Sequence, residues 1–161
     1  MLRSFVALNN QVLGRFTAQE RTRLGVHTCP GGDHDSTHSA DVDYAGLLPL
    51  LFELNVQSFY LQYASETDKQ SVLKIIKKSL RPGQFVFLGV TDVLSPRVET
   101  AEEIRDLILS ATEYLPAGQL GTTDDCGFAP FADDVSTSRD LAFAKIKARV
   151  EGTRLAEEAL G

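Results

Sequence analysis

Apolar positions recur along this chain with two alternating periods, and that alternation predicts the order of its elements. Phe5, Leu8, Val12 and Leu13 fall at three- and four-residue spacing, which predicts an opening helix that stops at Gly14. Thr17-Ala18-Gln19-Glu20 has the form of a capping box and predicts a short helical turn. A first strand is expected from about Leu24 to Thr28. Tyr44, Leu47, Leu48, Leu51 and Phe52 line one face of the next helix, and the aromatic-rich stretch Val56 to Tyr63 reads as a second strand. Another helix is expected from about Thr67 to Leu80, ended by Arg81-Pro82-Gly83. Phe85-Val86-Phe87-Leu88-Gly89-Val90 is a nearly continuous apolar run, as in a strand buried on both faces of a parallel sheet. A second capping box, Thr100-Ala101-Glu102-Glu103, opens a helix with Ile104, Leu107, Ile108 and Ala111 on one side. A short strand near Gln119 to Thr123 and a long helix from about Ser138 to Ala159 complete the pattern. Lys145, Lys147 and Arg149 are expected on the solvated face of that last helix.

The expected strands start near residues 24, 57, 85 and 119, a spacing that matches one strand-plus-helix unit of a parallel α/β fold. Four such units make either a four-stranded open sheet or the half of an eight-unit barrel, which needs about 250 residues when complete. The whole chain is read as one domain. Polar clusters follow the strand ends: His27 and Cys29 with a glycine-rich loop, Ser65-Glu66-Thr67-Asp68, Thr91-Asp92, and Asp124-Asp125-Cys126. Parallel α/β folds place their chemistry at that rim.

Composition narrows the classes further. The chain has 161 residues, 43% hydrophobic, enough for a real core. A net charge of −6 with scattered Lys and Arg argues against a nucleic-acid or anionic-membrane surface. With two cysteines far apart, no basic-then-apolar leader at Met1 and no apolar run approaching 18 residues, a reduced, cytoplasmic protein without a disulfide is expected.

In an extended Gly25-Val26-His27-Thr28-Cys29, the imidazole and the thiol lie on one side of the strand, because side chains alternate with period two. Such a pair can grip a metal ion, but a catalytic zinc wants about three protein ligands, and the other cysteine, Cys126, follows another expected strand. The plainer alternative makes Cys29 and Cys126 small buried apolar groups and His27 a core imidazole. Two thiolates and a neutral imidazole leave room for an incoming thiol, which coordination would convert to the thiolate nucleophile near pH 7. Other candidates are His38 and Asp41 in the glycine-rich loop, to contact a substrate or orient a metal ligand, Asp125, beside Cys126, to position a substrate amine or His27, and Asp92, as a site residue or equally as a turn cap.

Gly25-Val26-His27-Thr28-Cys29, Leu88-Gly89-Val90-Thr91-Asp92 with Ser95-Pro96, and Asp124-Asp125-Cys126-Gly127 together resemble the zinc-site motifs of the C-terminal barrel of cobalamin-independent methionine synthase. That superfamily also includes epoxyalkane:coenzyme M transferase. The resemblance covers essentially the whole chain, yet corresponds only to the second half of the family's TIM barrel. It implies zinc held by His27, Cys29 and Cys126, and transfer of a methyl or alkyl group to a small-molecule thiol, such as homocysteine, from a donor such as methyl-tetrahydrofolate. It also puts Tyr63 where methionine synthases carry a glutamate ligand, with Glu66 three residues on, and Leu94 where they carry a histidine before Ser-Pro. The three-ligand pattern of the coenzyme M branch is intact. The half barrel is expected to pair with a missing N-terminal half or a second copy. The alternatives are a non-catalytic zinc-binding subunit and an inactive truncated product.

Overall fold

The computed structural model describes residues 1–29, 44–129 and 134–161. Helix α1 (Leu2–Leu13) and the single turn α2 (Ala18–Arg21) precede strand β1 (Gly25–Thr28). Then follow α3 (Tyr44–Leu51), β2 (Ser58–Leu61), α4 (Lys69–Ser79), β3 (Phe85–Gly89), α5 (Ala101–Thr112), a 3-10 turn (Ala117–Gln119), β4 (Leu120–Thr123) and α6 (Arg139–Leu160). Both capping boxes form: Thr17 Oγ1 accepts from Glu20 N and Thr100 Oγ1 from Glu103 N, while each glutamate returns a bond to its cap. Asp68 and Ser138 cap α4 and α6 in the simpler way. Each of these side chains satisfies an amide that the first helical turn leaves without a partner.

The strands pair in sequence order, β1-β2-β3-β4, all parallel. The register aligns Thr28, Leu61, Leu88 and Thr122 in one row across the sheet, so the next residues, Cys29, Gln62, Gly89 and Thr123, form the row at the C-terminal rim. On one face, Phe59, Leu61, Val86 and Leu88 are buried against Leu48, Leu73, Ile76, Ile104, Ile108 and Ala156 of the helices. Each such large side chain contributes about 1.5–3 kcal/mol by leaving water. The other face carries His27, Ser58, Tyr60, Phe85 and Phe87, only half covered or exposed, with Tyr60 and Phe87 stacked 4.6 Å apart. Gly121 lets that stack lie flat, since a Cβ there would fall 2.5 Å from the Phe87 ring.

Strands β1 and β4 each have one neighbour, so each leaves one edge unpaired among the described residues. This is the arrangement of four consecutive units of a parallel barrel.

The last helix departs from expectation. Lys145 is not on its wet face: it is fully buried, and its ammonium donates to the carbonyls of Asp92 and Arg97 and to Glu99 Oε2 at 3.0 Å. Arg149 pairs through Nε with Asp124 Oδ1 at 3.0 Å, and only Lys147 is exposed as expected. Charge in the heptad-like pattern of a helix says nothing of the carbonyls that face it, and here the β3–α5 loop turns its carbonyls inward. Lys145→Ala leaves Glu99 and two carbonyls without their cation and is expected to cost about 3 kcal/mol. Urea unfolding checks this, with Lys147→Ala expected within about 0.5 kcal/mol of the parent; equal effects of the two would refute the clamp.

Candidate metal centre

His27 projects from β1, and Cys29 follows one residue beyond its end on the same face. Cys126 comes from the opposite edge of the sheet, three inter-strand steps away, or roughly 14 Å at about 4.8 Å per step. It reaches Cys29 because the chain after β4 turns back across the rim. Asp125 N donates to Thr91 O at 3.0 Å, and the Asp125 side chain crosses over Gly89 to the end of β2. There Oδ1 accepts from the amides of Tyr63 and Ala64, and Oδ2 from the amide and hydroxyl of Ser65, all at 2.7–2.8 Å. Gly89 is required for this crossing, since a Cβ there would lie 2.1 Å from Asp125 Oδ1. Arg149 holds Asp124 from the helix side.

The result is a cluster in which the His27, Cys29 and Cys126 ligand atoms lie within 4.8 Å of one another. The two sulfurs are 3.6 Å apart. A disulfide would need about 2.05 Å, whereas two thiolates about 2.3 Å from one tetrahedral zinc stand roughly 3.7–3.8 Å apart. The donor set therefore fits zinc: two soft sulfurs, one imidazole, and half-buried cysteines beside an exposed histidine.

Asp125 is buried, and burial pushes its carboxyl up to about 6 while the four donors at residues 63–65 pull against that rise. Both carboxylate oxygens are engaged by this turn, so the side chain positions Cys126. Burial likewise raises the Tyr44 hydroxyl well above its ordinary value. That hydroxyl bonds Thr28 Oγ1 at 2.9 Å and Thr28 O at 3.1 Å, which holds the residue before Cys29. Tyr44 also feels the charges of Glu66, Cys29 and Asp125.

Tyr63 cannot stand in for an acidic ligand. It is buried in the helix-side core, with its hydroxyl bonded to Ser110 of α5. Alternation assigns the other face to Gln62, whose Nε2 donates to Glu66 Oε1 at 2.9 Å. Asp92 caps a turn as expected, with Oδ1 accepting from Leu94 N at 2.9 Å. His38 and Asp41 lie outside the described residues. Tyr44, Gln62 and Gly89 carried no signal of their own: a helix-face aromatic, a lone strand amide and a strand-end glycine gain meaning only from what folds over them.

The chain is similar to known proteins over most of its length. A family model described as "Cobalamin-independent synthase, Catalytic domain" matches residues 12–149. The chain is 32% identical over 111 residues to the 2-hydroxypropyl-CoM lyase of Xanthobacter autotrophicus, covering 68% of this chain and 28% of that protein. It is 28% identical over 138 residues to the methionine synthase of Saccharolobus solfataricus, covering 86% and 36%. Among solved structures, a B12-independent methionine synthase from Shewanella superposes with TM-score 0.64 at 23% identity, over 84% of this chain and 39% of that one. A putative vitamin-B12 independent methionine synthase from Listeria monocytogenes gives 0.63 at 23% identity, over 99% and 41%. The chain thus spans about a third of the length of these curated relatives.

Proposed function

We propose, on the premise that this chain belongs to the cobalamin-independent methionine synthase catalytic-domain family, that it carries the thiol-activating zinc centre of an alkyl-transfer barrel. The observation that carries this reading is the convergence of His27, Cys29 and Cys126 from opposite edges of the sheet. Zinc supplies, when bound, a Lewis acid that favours the thiolate form of a substrate thiol. The chain's own residues do the rest: Asp125 and Arg149 fix the Cys126 turn, Tyr44 fixes Thr28 before Cys29, and Gly89 gives Asp125 its passage. Transfer of a methyl or alkyl group to the sulfur then depends on alignment of thiol and donor. Homocysteine or coenzyme M as thiol, and methyl-tetrahydrofolate or another alkyl compound as donor, are the substrates that the named relatives suggest.

A second reading is favoured by the two edges of the sheet that are unpaired among the described residues. Unpaired strand edges are templates for association, so the chain alone is a zinc-binding half barrel that gains activity only against a separate N-terminal half or a second copy; without either it is an inactive fragment. No described helix is long and apolar enough to cross a membrane. The expected outcome is a dimeric or poorly soluble isolated chain that binds about one zinc per chain and alkylates thiols slowly. Coexpression with the N-terminal half of a homologous barrel is expected to raise solubility and thiol-transfer rate together. Light scattering after size exclusion, beside a homocysteine and coenzyme M alkylation assay, checks this; an active monomer would sink the half-barrel reading.

A further inference from the structure

Among the described residues, two buried side-chain atoms have no hydrogen-bond partner: Gln62 Oε1 and Thr91 Oγ1. Both follow the ends of adjacent strands, β2 and β3, at the rim that carries the cysteines. A buried amide oxygen without a donor costs about 1–3 kcal/mol, so each such atom calls for a physical reason.

For Gln62 the surroundings supply one. The side chain is 5% exposed. Its Nε2 is committed to Glu66 Oε1 at 2.9 Å, which fixes the orientation of the amide, because a carboxylate accepts and cannot donate. The oxygen is thereby turned away from Glu66. Its amide N donates to Thr28 O, extending the β1–β2 ladder by one step. Gln62 therefore stands beside Cys29 in the rim row, on the face that also carries His27, one strand spacing of about 4.8 Å away.

We infer that Gln62 Oε1 is a fourth donor to the His27/Cys29/Cys126 centre, a neutral oxygen that Glu66 aims through the amide nitrogen. This rests on the zinc reading above. The residue types agree with it. Two thiolates already balance a divalent ion, so a neutral donor completes four-coordination with no net charge, and an amide oxygen is a weaker donor than a carboxylate. Gln62 can then give up its place to an incoming thiol more easily than an acidic residue would. Glu66 acts through Gln62 and is a positioning residue.

Cobalt(II) and zinc titrations of the full chain test this with the parent, Gln62→Leu and Gln62→Glu. In Gln62→Leu the metal-free protein is expected to melt higher, because an unpartnered oxygen has gone, while zinc affinity falls roughly 10-fold. Gln62→Glu is expected to bind zinc more tightly and with a steeper pH dependence, since its carboxyl must lose a proton to bind. It also keeps the length of the side chain, should the leucine variant fold poorly. Glu66→Gln is expected to weaken zinc binding less than Gln62→Leu does. If the thiolate-to-cobalt absorption of the parent is present and zinc affinity is the same in all variants, Gln62 is not a ligand, and only this inference fails. If the parent shows no such absorption, the zinc reading fails and takes this inference with it.

Discussion

Replacing Cys126 by serine is expected to lower zinc affinity by roughly 100- to 1,000-fold. A structural zinc held by four ligands is worth about 10–16 kcal/mol, so one ligand carries about 3–4 kcal/mol. A serine hydroxyl stays protonated near neutral pH and is a hard donor, so it recovers little of that. Cys29→Ser is expected to match it, because the sulfurs stand 3.6 Å apart as equivalent donors. Competition against a chromophoric chelator measures both. The decisive comparison is between the two: loss of affinity with Cys29→Ser alone would mean that Cys126 lies near the metal without holding it.

The second large effect is expected from a residue that touches no metal. Asp125→Ala removes four hydrogen bonds to a carboxylate at once and strands the amides of Tyr63, Ala64 and Ser65. Bonds to a charged acceptor are worth about 1.5–3 kcal/mol each and are not additive, so a loss of about 3–5 kcal/mol is expected. For a chain of this size that lowers Tm by roughly 10–15 °C. Zinc affinity is expected to fall too, because the Asp125 side chain ties the turn before Cys126 across β3 to the end of β2. Gly89→Ala should reproduce both effects without removing a hydrogen-bonding group, since its methyl would occupy the place of Asp125 Oδ1. Calorimetry and zinc titration of the pair separate the causes. A Gly89→Ala protein that melts and binds like the parent would show that Asp125 does not need this path.

Most of the helices and strands were legible in the chain because they bury one face, and periodicity reports that directly; α1 is the exception, since Phe5, Leu8 and Val12 are exposed and Val6 is the residue it buries. Capping boxes at Thr17 and Thr100 and the apolar run at Phe85 are local signals with local causes, and their positions moved by no more than a residue or two. The parallel order followed from unit length. His27 and Cys29 were legible as a pair for the same reason: two residues apart on a strand is a statement about one face. The family resemblance then joined Cys126 to them.

What tertiary structure alone decided is how Cys126 gets there, and what surrounds it. Strand spacing puts the two edges roughly 14 Å apart, and the turn that passes Asp125 over Gly89 brings the sulfurs to 3.6 Å. Lys145 shows the same limit. Its place on a polar helical face was readable, but its burial depends on carbonyls of Asp92 and Arg97, more than forty residues away in sequence. Tyr63 and Gln62 show it most sharply, since adjacent strand residues point to opposite faces and a one-residue difference in alignment exchanges core for site. Alternation along a strand is a property of sequence. Which neighbour crosses above it, and which oxygen it leaves without a partner, is set only when distant segments meet.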